Sequence, residues 1–262
     1  MLPSPFLLPV LAGMTVQSTL GLVINPYRDI DWIALGWLGN DGVTLCLVCP
    51  LLAASLSGPR RDISRWHVLR LGLLGYAIYS YAFYMFGASL NSMFPFYPAL
   101  FVVAVIALIQ ELSAVRVVGL ARSYSSHTPV RILGGYLVGM AIILSAIWLS
   151  MWALFVFAGR DVPGSPEIFR LVASLDLGLM VPAMAIGGGL LWGRRPLGYV
   201  LASIASIQAT LYLFVLSVNS ALGIYSGLAK WPGEFLIWAP LSAATAVCAL
   251  VLIRSVSSGR VD

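Results

Sequence analysis

The sequence predicts an all-α fold: a polytopic transmembrane helix bundle of about eight spans. Three observations predict it. Of the 262 residues, 60% are hydrophobic and only 10% are charged, with a mean hydropathy of +0.94. A soluble domain carries roughly 25% charged residues, so this chain lacks the polar surface to cover itself in water. The apolar residues gather into eight runs near the length of about 20 residues that a span needs. Arginines then recur at every second connection between those runs.

The runs cover about 6–24, 32–57, 66–88, 93–115, 132–158, 168–193, 197–218 and 234–254, each bounded by Pro, Gly or charge. Strands are disfavoured, because barrel strands alternate polar and apolar residues and these runs do not. The first run follows Met1-Leu-Pro-Ser-Pro-Phe, which has no basic segment and no small-residue cleavage site. It is therefore expected to be a retained span and not a signal peptide. The second run holds Gly36, Gly39 and Gly42 around Asp41, and then Pro50; the third is rich in tyrosine. Gly135 and Gly139 in the fifth, and Gly187, Gly188 and Gly189 in the sixth, are embedded in apolar sequence. They suit close helix packing better than phosphate binding. Asn219 to Gly233 is expected to be an external loop, with a re-entrant turn as the alternative, and Trp231 and Pro232 within it suit a membrane boundary. The whole of 1–262 then forms one transmembrane domain.

Orientation follows from the basic residues. Arg60, Arg61, Arg65, Arg70, Arg116, Arg122, Arg131, Arg194, Arg195, Arg254 and Arg260 fall on one side, against Arg28, Arg160, Arg170 and Lys230 on the other. The positive-inside rule places the first group, and both termini, in the cytoplasm of a cell with the chain in its inner membrane. An even number of spans keeps those loops together. Because these arginines flank apolar runs, they are topology signals, and the net charge of +5 does not imply a nucleic-acid partner.

Asp41 lies 19 residues before Arg60, and Asp176 lies 18 before Arg194; Pro50 and Pro182 follow them. The correspondence suggests a four-plus-four parallel repeat with halves 1–125 and 126–262, an architecture found among transporters. Chance coincidence of two aspartates in two descending spans is the alternative.

Ionisable residues in a membrane are candidates for function. Counted from the arginines, both aspartates lie about 27–28 Å along their helices, near one edge of a hydrocarbon core about 30 Å thick. Asp41 and Asp176 are thus expected either to cap helices or line a hydrated rim, or to form a vestibule that attracts a cation or a polar head group. Asn40 adjoins this site. Glu111 is placed at the opposite edge, near Arg116. Gln17 and Gln208 lie deeper and serve either as interhelical hydrogen-bond glue or as a polar patch in a ligand cavity. Tyr84 and Tyr81 are expected in the interfacial belt. Tyr76 and Tyr79 lie deeper and need partners, from neighbouring helices or from an aromatic or isoprenoid ligand.

Other motifs carry less. The three cysteines, Cys46, Cys49 and Cys248, all lie in apolar runs and make no secreted disulfide framework. Cys46 and Cys49 form a C-x-x-C inside a continuing span, away from the helix N-terminus that would stabilise a thiolate. His67 and His127 lack metal-ligand spacing, and no metal or other cofactor is implied.

Asp41-Gly-Val-Thr-Leu, Tyr81-Ala-Phe-Tyr-Met-Phe-Gly-Ala-Ser-Leu-Asn91 and Leu175-Asp-Leu-Gly-Leu resemble segments of a family of uncharacterised prokaryotic integral-membrane proteins. The resemblance implies a membrane bundle and no particular activity. Three classes are open: a small-molecule or lipid transporter or binding protein, a non-catalytic subunit or sensor of a larger assembly, and, least supported, an embedded enzyme. The partners implied are membrane lipid, a small apolar or cationic ligand, or another membrane protein.

Overall fold

A computed structural model describes residues 4–57, 63–162, 165–229 and 232–256. Arg60, Arg61, Lys230, Trp231 and Arg260, used above for topology, lie outside the described residues, as does the start of the chain before Ser4.

The described residues form helices and no strand; one isolated bridge joins Tyr124 and Val256. In chain order the helices are α1 (Leu7–Ile24), α2 (Asp31–Val43), α3 (Cys49–Ser57), α4 (Ile63–Gly87), α5 (Phe96–Ser113), α6 (Val117–Ser123), α7 (Val130–Ala158), α8 (Pro166–Leu175), α9 (Val181–Trp192), α10 (Pro196–Tyr225) and α11 (Gly233–Ser255). A π turn over Thr44–Val48 joins α2 to α3, and another over Asp176–Met180 joins α8 to α9. Seven of the resulting rods are long and apolar enough to cross a membrane. The protein is thus a multi-pass membrane protein by helix length and composition.

α4 is the exception, although it is 25 residues long and runs the length of the bundle. Near its start, Arg65 Nε donates to the carbonyl of Val256 (2.7 Å). Just beyond its end, Ser89 Oγ donates to Asp29 (2.8 Å). Tyr76, Tyr79, Tyr81 and Tyr84 lower its apolarity, and all four are buried. Lipid-facing helices must be apolar outside, whereas a helix enclosed by others can carry hydroxyls that the neighbours satisfy. α4 packs against α5, α10, α3, α8 and α11.

These contacts separate two ends. Ser4, Arg65, Arg70, Glu111, Arg122, Tyr124, Arg194, Arg195 and Arg254 belong to an arginine-rich end, tied together by the Tyr124–Val256 bridge and the bonds of Ser4 and Arg65. The α1–α2, α4–α5, α7–α8 and α10–α11 connections belong to the arginine-poor end.

The π turns have a common cause. Proline has no N–H and its ring clashes with the carbonyl four residues back. Pro50 and Pro182 therefore leave the carbonyls of Cys46 and Gly178 without that donor, and the helix widens instead of stopping. In both cases the residue just before the proline donates five residues back: Cys49 N–H to Thr44, and Val181 N–H to Asp176. The broken rods also exchange partners, since α2 packs on α10 while α8 packs on α4, with α4 and α10 in contact between them.

Two connections differ from expectation. Asn219 to Tyr225 continues α10 instead of opening the predicted loop. Gly223 alone costs a helix only about 1 kcal/mol, and Ser220 Oγ bonds back to the carbonyl of Leu216 (2.9 Å). The connection after α5 contains the short helix α6, whose Leu120 and Val117 cover buried Leu71, Val200 and Ile204.

Candidate functional site

Asp41 and Asp176 each lie ten residues beyond the start of a broken rod, Asp31 and Pro166 respectively, hence about 15 Å into the bundle. They are 0% and 1% exposed. This corrects the expectation of a helix cap or a hydrated rim: both aspartates are shut away from solvent inside the bundle, and neither caps a helix, since each rod begins ten residues earlier.

Neutral donors surround Asp41. Oδ1 accepts from Tyr84 Oη (2.8 Å) and Gln17 Nε2 (3.1 Å), and Oδ2 accepts from Tyr27 Oη. Gln17 Oε1 in turn accepts from Tyr81 Oη (3.0 Å). Gly21 makes this possible, because a Cβ there would collide with the Asp41 carboxylate. A bound carboxylate with several good donors is stabilised against the cost of burial. Tyr84 and Tyr81 are consequently interior residues and not part of an interfacial belt: at 2% and 1% exposure their hydroxyls hold Asp41 and Gln17.

Asn40 forms an adjoining cluster. Its Oδ1 accepts from Tyr76 Oη (3.0 Å), its Nδ2 donates to Ser80 (3.0 Å), and Thr44 Oγ1 bonds the same Tyr76 hydroxyl (3.0 Å). On the other side of α4, Asp176 accepts from Tyr79 Oη (2.6 Å) and from the Trp148 indole N–H (2.9 Å). The structure thus brings Gln17, Asn40, Asp41, Tyr76, Tyr79 and Asp176 onto one central helix, in two groups. Gln208 enters neither group; it packs on α4 beside Gly75.

Glu111 does not pair with Arg116. It is 2% exposed and its Oε2 accepts from Arg70 Nε (3.1 Å) and faces His67 Nδ1 (3.2 Å), while Oε1 accepts the backbone N–H of Ser4 (2.7 Å). Arg70 also donates to the carbonyl of Ser55 (3.0 Å). This ion pair locks the arginine-rich end, and the described residues hold no group of His, Cys, Asp or Glu suited to a metal ion.

Between the two aspartate groups, at the arginine-poor end, lies a cavity of about 620 Å³. Volumes of roughly 300–1,000 Å³ are typical of small-molecule sites. α2, α8, α10 and α11 enclose it, with Phe83 of α4 in its wall. Two of its rings lead to the aspartates. Trp37 stacks on Tyr84 at 4.8 Å, and Tyr84 holds Asp41; Tyr212 meets Tyr79 edge-on at 4.8 Å, and Tyr79 holds Asp176. Asn219 also lines the cavity, with its Oδ1 turned into the niche left by Gly39, where it is buried without a hydrogen-bond partner. A second hollow of about 620 Å³ lies between α7 and α8 beside Trp148.

Sequence reasoning missed Tyr27, Trp148, Tyr212 and the cavity itself. Tyr27 follows the end of α1 and Trp148 sits mid-helix in α7, so neither carries a local signal; only the bundle brings them to the aspartates. No known protein family, curated protein or solved structure matches this chain.

Proposed function

We propose that the protein binds, and carries across the membrane, a small amphipathic molecule received in the 620 Å³ cavity at the arginine-poor end. The observation that supports this reading is the position of the cavity between two rods that are both broken near the middle of their length. Broken helices and buried polar groups at a repeat interface are the usual architecture of transporter sites. The matching π turns, the prolines that cause them and the exchanged packing of α2 and α8 support a parallel repeat of 1–125 and 126–262. In this reading α4 is the eighth span, its hydroxyls turned inward. Both termini are cytoplasmic in a cell's inner membrane, in accord with the arginine distribution, and the family resembled is one of membrane bundles.

Native mass spectrometry of the detergent-purified protein tests the binding reading. A retained small molecule or single lipid species at one copy per chain is expected. A bare chain, with no added molecule raising its thermal stability, overturns it. Labelling of Asp161→Cys and Arg122→Cys, both exposed positions, tests the topology: an impermeant reagent added outside should reach the first and miss the second.

A second reading, a subunit of a larger assembly, is favoured by α7. Only 6% of its most apolar stretch is buried, and Ile142, Ile143, Leu149 and Phe157 all face outward. A co-purifying protein chain in the same spectrum would select it.

A further inference from the structure

We propose that the cavity selects an organic cation, an ammonium group carried on an apolar body; this rests on the binding reading above and names the ligand class. Five rings line the site: Trp32, Trp37, Phe83, Tyr212 and Trp238. The π faces of such rings attract a cation within about 6 Å of the ring centroid. Trp37 and Phe83 stand 4.9 Å apart, tilted by 51°, so they form a corner and not a flat stack.

Among the described lining residues the formal charge has one sign. Glu234, in the first turn of α11, is the only ionisable acid or base among the described lining residues apart from the Tyr212 phenol. Behind the rings stand three more carboxylates. Asp29 accepts the Trp37 indole N–H (2.9 Å), which draws electron density into the ring that faces the cavity. Asp41 lies behind Trp37 through Tyr84, and Asp176 lies behind Tyr212 through Tyr79. No Lys or Arg is among the described lining residues. An anion would find no cationic partner among the described lining residues, and a neutral apolar molecule would leave Glu234 unused. An ammonium pairs with Glu234, with its apolar body against Ile33, Leu216 and Val172.

The same chemistry is offered by a free organic cation and by the head group of a choline or ethanolamine lipid. The test uses the full chain in nanodiscs of purely anionic phosphatidylglycerol. Benzyltrimethylammonium is titrated by calorimetry beside neopentylbenzene, its neutral isostere. The cation should bind about tenfold more tightly than the isostere. Glu234→Gln, at an exposed position, should weaken the cation by about threefold and leave the isostere unchanged. Adding phosphatidylcholine to the nanodisc should raise the apparent Kd if the head group is the natural occupant, and leave it unchanged if the cation comes from water. Equal affinity for cation and isostere overturns the ligand class while leaving the cavity a binding site. If neither probe binds and native mass spectrometry finds a retained molecule, its charge decides: a cation upholds the proposal, and a neutral or anionic species overturns it. If neither probe binds and no molecule is retained, the binding reading falls as well.

Discussion

Tyr84→Phe removes one hydroxyl from the Asp41 site and little else. The ring is held by stacking on Trp37 at 4.8 Å and Tyr97 at 5.0 Å, and phenylalanine keeps those contacts, so no cavity opens. What is lost is the 2.8 Å bond to Oδ1, together with the longer 3.2 Å contact of the same hydroxyl to the Trp37 carbonyl, leaving Gln17 as that oxygen's donor at 3.1 Å and Tyr27 on Oδ2. A neutral interhelical hydrogen bond in a membrane contributes about 0.6 kcal/mol on average, whereas a bond to a charged group contributes about 1.5–3 kcal/mol. Because the acceptor is a carboxylate at 0% exposure, the loss should be about 2 kcal/mol. Steric trapping in bicelles measures it directly. In an Asp41→Asn background the same substitution should cost only about 0.6 kcal/mol, which gives a coupling near 1.4 kcal/mol by a double-mutant cycle. A single-mutant loss below about 0.5 kcal/mol, with no coupling, would refute the argument that this phenol holds a carboxylate.

Gly39→Ala should destabilise the protein by about 1–3 kcal/mol, because the new methyl occupies the niche of the Asn219 amide. The second change Asn219→Ala should restore most of that loss in the same unfolding assay, and failure to restore it would show that another contact sets the α2–α10 distance. Arg70→Met leaves Glu111 buried without its guanidinium, at a cost of about 3–5 kcal/mol. A thermal shift of under a degree would contradict the ion pair's role at that end. Trp148→Phe removes the donor to Asp176 Oδ2 and should cost about 1–2 kcal/mol; an unchanged stability would mean that Tyr79 alone satisfies that carboxylate.

Helices were legible in this sequence because a membrane enforces a uniform rule: each span must be apolar and of fixed length, and arginines mark one side. That rule located α1, α5, α7 and α11 within a few residues. It failed at Asn219 to Tyr225, where the chain stays helical although polar, the Ser220 hydroxyl finding its acceptor in the Leu216 carbonyl of the same helix. It also missed how far the rods run. Counting from Arg60 and Arg194 put the aspartates at an edge, whereas the rods continue ten residues past them, to Asp31 and Pro166. Asp41, Asp176, Asn40, Gln17, Tyr76 and Tyr79 could be singled out as polar groups that lipid would not tolerate. Their partners could not, since nothing in the neighbourhood of Tyr27 or Trp148 in the chain reports a contact made by a different helix.

The same physics explains why α4 reads as the least membrane-like helix. A bundle that keeps polar groups at depth needs donors near them, and backbone amides in helices are already committed. Hydroxyls must come from side chains, and tyrosine supplies one at the end of a rigid apolar ring. α4 carries Tyr76, Tyr79, Tyr81 and Tyr84, which reach Asn40, Asp176, Gln17 and Asp41 in turn. Its polarity is therefore paired inside the protein. The two broken rods depend on it, because each places an aspartate or a threonine beside its π turn against one of those rings. Any movement of α2 or α8 that widened the cavity would have to break or exchange bonds to α4. The tyrosine helix is thus the element against which such a movement is measured, and in the proposed binding reading substitutions along it should change the rate of ligand exchange more than the choice of ligand.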